Sequence, residues 1–206
     1  SFFYDGCKQL PALINLIKKK QNFKIFKKLR PHSFPGIAGN SYGVRVDLPK
    51  EKKYEAQCHQ ELPFQMRSMD GLVFWSPLTK ISEKYGYLKV YEKSHKNGYF
   101  PIAEKKVKNK SIAYKLFLVN ELAIKKKFKC VNVRVNSRDL VLLDYLTLHQ
   151  SGKNLSTNPR VTLQYRLFNY NDNFGQKIKW SGSFSSGLSF SKIKKNLSYL
   201  KDYKNS

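Results

Sequence analysis

The apolar positions of this chain keep two rhythms. From Lys8 to Arg30, "KQLPALINLIKKKQNFKIFKKLR", Leu13, Leu16, Ile17, Ile25, Phe26 and Leu29 recur at helical spacing among lysines. That spacing predicts one or two amphipathic helices broken near Gln21–Asn22, laid over one side of a sheet with their lysines in water. From Pro31 to Gly43 the chain reads as a loop, punctuated by Pro31, Pro35, Gly36, Gly39 and Gly43. Beyond it the rhythm shortens. "YGVRVDL", "YEAQCHQE", "GLVFWSPL", "GYLKVYE", "KCVNVRV", "DLVLLDYLTLH" and "RVTLQYRLFNY" are short runs rich in Val, Leu, Tyr and Phe, separated by turn residues. They predict strands.

Two segments resist that reading. "SIAYKLFLVNELAIKKKF", from Ser111, fits helix and strand equally, and the stretch after Asn171 is Ser/Gly-rich before "SKIKKNLSYLKDY", which predicts a short helix. No internal repeat is visible. Many strands behind a helical cover imply a mainly β protein, a sandwich or jelly roll with N-terminal covering helices. Its 206 residues suit one domain, with 1–43 as cover, 44–170 as core and 171–206 as a C-terminal extension.

Composition narrows the classes. Apolar residues make up 41% and aromatics 14%, which excludes a disordered chain, and no apolar stretch is long enough to span a bilayer. Three scattered cysteines (Cys7, Cys58, Cys130) without a CxxC pair argue against a disulfide framework or structural zinc, so a reducing, cytoplasmic setting is expected. The net charge of +25 suits nucleic acid, anionic lipid or a phosphorylated substrate. The surplus is mostly lysine and comes with many Asn, Ile, Phe and Tyr, so compositional drift explains it equally well.

Chemistry enters with the histidines, of which there are four. In an extended chain His59 and Glu61 of "CHQELPF" would project from one face while Gln60 points away. An imidazole and a carboxylate side by side are two thirds of the 2-His-1-carboxylate set that binds non-haem Fe(II), and His149 is a candidate third ligand. Arg160, eleven residues after His149, opens the run "RVTLQYRLFNY". It would aim a guanidinium fork at a carboxylate beside the metal. Thr162 and Gln164 share its face by strand alternation. Trp75, on a strand, and Arg45, in "VRVDLP", are further pocket candidates, Arg45 having the alternative of pairing with Asp47 outside. His95 reads as loop structure and His32 as surface.

The ordered set "HQE…SMDGLVFWSPL…GYLKVYEKSHKNG…RDLVLLDYLTLHQSGKNLSTNPRVTLQYR" resembles the phytanoyl-CoA dioxygenase family of Fe(II)- and 2-oxoglutarate-dependent oxygenases, over about residues 44 to 170. The resemblance implies a double-stranded β-helix with His59, Glu61 and His149 as iron ligands. It also implies that Arg160 holds the far carboxylate of 2-oxoglutarate, with Ser151 near the same end and Trp75 flanking the co-substrate. O2 would be the oxidant and hydroxylation the outcome. The family usually presents Asp where this chain has Glu61. A small-molecule or lipid/glycan substrate is expected, with peripheral membrane contact an open alternative and the oligomeric state undefined. Two other readings stay open: a catalytically silent jelly-roll binding protein, and a basic nucleic-acid-binding β-domain. The latter has no need of His59, Glu61, His149 and Arg160 in this order, so nucleic acid is set aside as partner.

Overall fold

The computed structural model describes residues 6–51, 55–105, 115–137 and 139–200. The N-terminal region carries two short helices, α1 (Pro11–Ile17) and α2 (Lys20–Leu29), preceded by helical backbone at residues 6–8. The break lies at Lys18–Lys19, three residues earlier than the periodicity suggests. The cause is Asn22: its amide donates to the carbonyls of Leu16 (2.8 Å) and Ile17 (3.0 Å), closing the open end of α1 from within α2. Leu13, Ile17 and Phe26 face inward, while Leu16 and Leu29 remain exposed.

The larger sheet is built on β11 (Arg160–Asn169). One edge of β11 receives β1 (Pro35–Ile37) and β2 (Gly43–Asp47) in series; the other pairs with β4 (Leu72–Pro77), which in turn pairs with β9 (Val141–Asp144). The segment read as loop therefore contributes a strand, because β11 is ten residues long and leaves its last residues free beyond β2. A smaller sheet runs β10 (His149–Ser151), β5 (Leu88–Tyr91), β8 (Cys130–Val133). Both sheets are antiparallel throughout.

Strand β4 shows why the chain is mostly apolar here. Leu72 and Phe74 pack outward against the helices with Leu163, Tyr165 and Leu167, and Val73 and Trp75 pack inward with Leu88, Leu143 and Tyr145. A strand covered on both faces reads as an unbroken apolar run. Phe74 and Tyr165 stack with centroids 4.8 Å apart. The architecture is a jelly roll with helices over one sheet.

Several expectations are corrected. "DLVLLDYLTLH" is not one strand: after β9 the chain turns, with the Leu146 and Thr147 amides donating to the Asp144 carboxylate (2.7 Å) and carbonyl (2.9 Å). It re-emerges as β10 in the other sheet. Of the ambiguous segment, residues 111–114 lie outside the described residues, and the remainder holds both a strand, β7 (Leu116–Leu118, paired with β6, Ile102–Glu104), and a helix, α3 (Glu121–Lys125). "YEAQCHQE" is no regular strand among its described residues; it contributes a single antiparallel bridge, His59 to His149. After β11 come α4 (Asn173–Lys177), then β12 (Gly182–Ser183) against β3 (Gln65–Met66), then α5 (Phe190–Ser198). α5 delivers Ile193 and Leu197 to the inner core beside Leu62, Met66 and Phe174.

Asn22 also accepts from the buried Tyr165 hydroxyl at 3.0 Å, so it ties both helices to β11. Asn22→Ala leaves that hydroxyl and two helix-end carbonyls short of partners. We expect a loss of about 1–3 kcal/mol in equilibrium urea unfolding.

Candidate functional site

The site sits where the two sheets face each other, and it begins with a pair of backbone hydrogen bonds. The His59 amide donates to the His149 carbonyl and the His149 amide to the His59 carbonyl, both at 3.0 Å. The two histidines are thus locked side by side, with ring centroids 4.3 Å apart. Each ring is oriented the same way: Nδ1 of His59 meets the Gln57 carbonyl at 2.7 Å, and Nδ1 of His149 meets the Thr147 carbonyl at 2.9 Å. A carbonyl can only accept, so Nδ1 carries the proton and the Nε2 lone pair is left facing inward.

Glu61 arrives by a route that strand alternation did not foresee. Its backbone is helical (φ −72°, ψ −31°), leading into a 3₁₀ turn over Leu62–Phe64. That turn, not an extended chain, swings the carboxylate back beneath the imidazoles. Oε2 of Glu61 lies 3.9 Å from His59 Nε2 and 4.0 Å from His149 Nε2. One donor atom from each of the three residues lies within 4.8 Å of the others, the spacing of a set that can close on one metal ion. Gln60 is not idle on the other side. It is buried, donates to the carbonyls of Gly98 (2.8 Å) and Leu146 (2.7 Å) and accepts from the Phe100 amide (2.8 Å). It clamps the segment that carries the ligands to the turn before His149.

The ionisation states suit a cation. Burial drives the His59 imidazole down to about 3, with a further contribution from His149, and burial likewise lowers His149. Burial works to raise Glu61, but the Arg166 guanidinium and the two histidines outweigh it and hold the carboxyl below its usual range. Neutral imidazoles and an ionised carboxylate are what a divalent metal requires.

These groups open into a cavity of about 770 Å³. Ser151, Trp75, Arg45, Gln164 and Arg166 line it, with apolar walls from Val44, Phe64 and Leu88. Arg45 lines the cavity and pairs with Asp47 at 2.6 Å, inside the protein and not outside it. Arg160 and Thr162 lie behind the wall. Arg160 shares Asp47 with Arg45, donating to the other carboxylate oxygen at 2.9 and 3.2 Å, and its Nη1 meets the carbonyls of Tyr85 (3.1 Å), Gly86 and Gly152 (2.9 Å). Burial tends to raise Asp47, yet the two guanidiniums hold it low. Gly86 has φ +78°, and a Cβ there would meet the Gly152 carbonyl oxygen at 2.7 Å, so only glycine brings these carbonyls so close to Arg160. Thr162 Oγ1 is buried without a hydrogen-bond partner among the described residues. His95 sits exposed in the 3₁₀ turn Ser94–Asn97, and His32 is on the surface.

Ser94 and Arg166 escaped the sequence reading. Ser94, one residue before His95, is buried; its hydroxyl donates to the Tyr91 carbonyl (2.7 Å) and accepts from the Leu148 amide (2.9 Å), steadying the residue before His149. Asn154 and Ser156 shape the loop that leads to Arg160, with Asn154 donating to the carbonyls of Asp47 and Asn158, both at 2.9 Å. Arg166 was within reach: the alternation that links Arg160, Thr162 and Gln164 arrives at Arg166 one step further on. Its Nε donates to Glu61 Oε1 at 3.0 Å.

A family model described as phytanoyl-CoA dioxygenase (PhyH) matches residues 47–162, more than half of the chain. The chain belongs to the phytanoyl-CoA dioxygenase family. Solved structures share its fold at low identity. The non-haem α-ketoglutarate-dependent epimerase SnoN of nogalamycin biosynthesis is 15% identical with a TM-score of 0.61, over 81% of this chain and 60% of that one. EvdO2 from Micromonospora carbonacea var. aurantiaca is 16% identical with a TM-score of 0.59, over 77% of this chain and 63% of that one. The carbocyclase SnoK of nogalamycin biosynthesis is 18% identical with a TM-score of 0.58, over 79% of this chain and 61% of that one. This PhyH chain thus spans about three fifths of the length of those relatives. No curated protein matches it significantly. No helix among the described residues is long and apolar enough to cross a membrane.

Two outcomes are expected of this family member. A histidine whose folded pKa lies near 3 against 6.5 unfolded binds fewer protons when folded, so its stabilising contribution is complete above pH 6.5 and is lost as pH falls toward 3. Asp172, raised to about 6 by burial, acts in the opposite sense over part of that range. The comparison is therefore with His59→Gln, in which Asp172 is unchanged: metal-free wild type should lose more unfolding free energy than the variant between pH 6.5 and 4. Arg160→Ala leaves Asp47 to Arg45 alone and deprives one of its oxygens and three carbonyls of their guanidinium donor, and should cost at least about 1–3 kcal/mol in denaturant unfolding. Arg160→Lys should recover only part, since an ammonium cannot reproduce the planar fork.

Proposed function

We propose that this chain is a non-haem Fe(II)- and 2-oxoglutarate-dependent oxygenase that hydroxylates a small-molecule, lipid or glycan substrate. One observation carries the reading: the convergence of His59 Nε2, His149 Nε2 and Glu61 Oε2 at the wall of a cavity, with both imidazole protons parked on backbone carbonyls. The donor set fits the metal. Two neutral nitrogens and one carboxylate on one side leave the other side open, as Fe(II) oxygenases of this kind need. Solved relatives bind the same groups, SnoN with Fe3+ and α-ketoglutarate and EvdO2 with 2-oxoglutarate.

His59, Glu61 and His149 would hold the iron. Bound Fe(II), with 2-oxoglutarate and O2, supplies the oxidising power to attack an unreactive C–H bond. The rest is the work of the chain. Val73, Trp75, Leu88 and Leu143 line the inner wall and exclude water there, and Trp75 sits beside Gln164 across the β4–β11 ladder. Ser151 follows His149 on β10 and faces the same space. Asp47 is one carboxylate between two guanidiniums, so the buried Arg160 fixes the carboxylate against which the cavity-lining Arg45 rests. Of the expected co-substrate contacts, Ser151, Trp75 and Arg45 line the cavity, whereas Arg160 and Thr162 lie behind its wall, and Arg160 would act on the co-substrate only through Asp47 and Arg45. The mostly apolar entrance with Arg45 and Gln164 favours a substrate that is largely carbon skeleton with an acidic or oxygen-rich group.

The test is an anaerobic titration. Fe(II) and 2-oxoglutarate together should give a weak visible charge-transfer band in the wild type, and His149→Ala should abolish it. Aerobic incubation with Fe(II), ascorbate and 2-oxoglutarate should then release succinate, most with the true substrate in a panel. Folded, iron-loaded wild type without the band would refute the oxygenase reading.

A further inference from the structure

Glu61 uses its two oxygens differently. Oε2 faces the Nε2 atoms of His59 and His149 at 3.9 and 4.0 Å, while Oε1 accepts from Arg166 Nε at 3.0 Å. Arg166 is not free to follow a moving carboxylate. Its Nη1 donates to the Ser41 carbonyl at 3.2 Å and its Nη2 to Gln164 Oε1 at 3.0 Å, so the guanidinium is held at three corners. All of this is inside the protein: Glu61 is 3% exposed, and the Arg166 side chain 13%.

A glutamate has one more methylene than aspartate, and both its oxygens can turn toward a metal. A carboxylate that binds through both oxygens occupies a second coordination position. In a site that works by keeping positions open, that position is one a chelating co-substrate requires. We propose that Arg166 is a positioning residue that reserves Oε1 of Glu61, restricting this longer ligand to one oxygen and keeping the adjacent metal position open. The proposal rests on the metal-site reading above and adds a residue to it. Removing Arg166 while keeping Glu61 frees Oε1 to swing onto the metal; the metal site itself survives, but with one fewer open position.

The experiment uses Co(II) as a redox-stable probe, whose visible d–d absorption reports the number of its ligands, together with 2-oxoglutarate. Wild type should bind Co(II) and, on adding 2-oxoglutarate, change spectrum with saturation. Arg166→Met should bind Co(II) at least as tightly, because a repelling cation has gone and a second oxygen is available. Its spectrum should differ from wild type before any 2-oxoglutarate is added, and its affinity for 2-oxoglutarate should fall at least tenfold. The spectrum separates positioning from simple charge: loss of a nearby positive charge weakens anion binding without altering the ligand count of the cobalt. If Arg166→Met does not fold, Arg166→Lys, which keeps the charge and loses the fork, is read the same way. A wild-type cobalt spectrum in the folded variant overturns the proposal, as does loss of Co(II) binding in a folded variant. Wild type that binds no Co(II) would sink the metal-site reading itself, an outcome distinct from both.

Discussion

Everything in the site hangs on one antiparallel bridge. His59 and His149 are ninety residues apart in sequence and exchange both backbone hydrogen bonds, each at 3.0 Å. That exchange brings two imidazoles together at a spacing that neither side chain could hold alone. Their Nδ1 protons are fixed by carbonyls on their own segments, so orientation is set locally and proximity is set by the bridge. Among its described residues the segment holding His59 forms no regular strand, and the Gln60 clamp helps to steady it.

The charged groups around the bridge are paired in a pattern that explains their burial. Two carboxylates, Asp47 and Glu61, are each held by arginines projecting from β11 or its neighbour β2. An ion pair out of water is costly unless its remaining hydrogen bonds are made. Here the carbonyls of Tyr85, Gly86, Gly152 and Ser41 complete the donor sets of Arg160 and Arg166. The arrangement therefore costs less than its charge content suggests. It also keeps Glu61 ionised and the imidazoles neutral without a metal present. A site prepared in that state need lose no proton when a cation enters.

The inner face of β11 divides the cavity's work. Its first residues, Arg160 and Thr162, lie behind the wall, Arg160 on Asp47; Gln164 and Arg166 line the cavity beside Glu61. The outer face of the same strand, Leu163, Tyr165 and Leu167, is sealed by α1 and α2. A strand pinned on its outer face by apolar packing presents its polar face in a defined register, and the Asn22–Tyr165 hydrogen bond fastens that seal.

By itself the sequence determined the kind of architecture and the cast of the site. Short apolar runs, a lysine-edged helical cover, the His-x-Glu pair and the His149-to-Arg160 spacing all depend on local order, and local order survives in a string of letters. It misled wherever a residue's role depends on a partner far along the chain. Asn22 moved a helix break because of Leu16, Ile17 and Tyr165; an apolar run divided between two sheets because Asp144 caps a turn; Glu61 met His59 through a 3₁₀ turn and not by alternation. Only the tertiary structure decided that Arg160 shares Asp47 with Arg45, and that Arg166 holds the Glu61 carboxylate. Both are contacts across more than a hundred residues, made where burial leaves a charge no solvent and so compels it to find a particular partner.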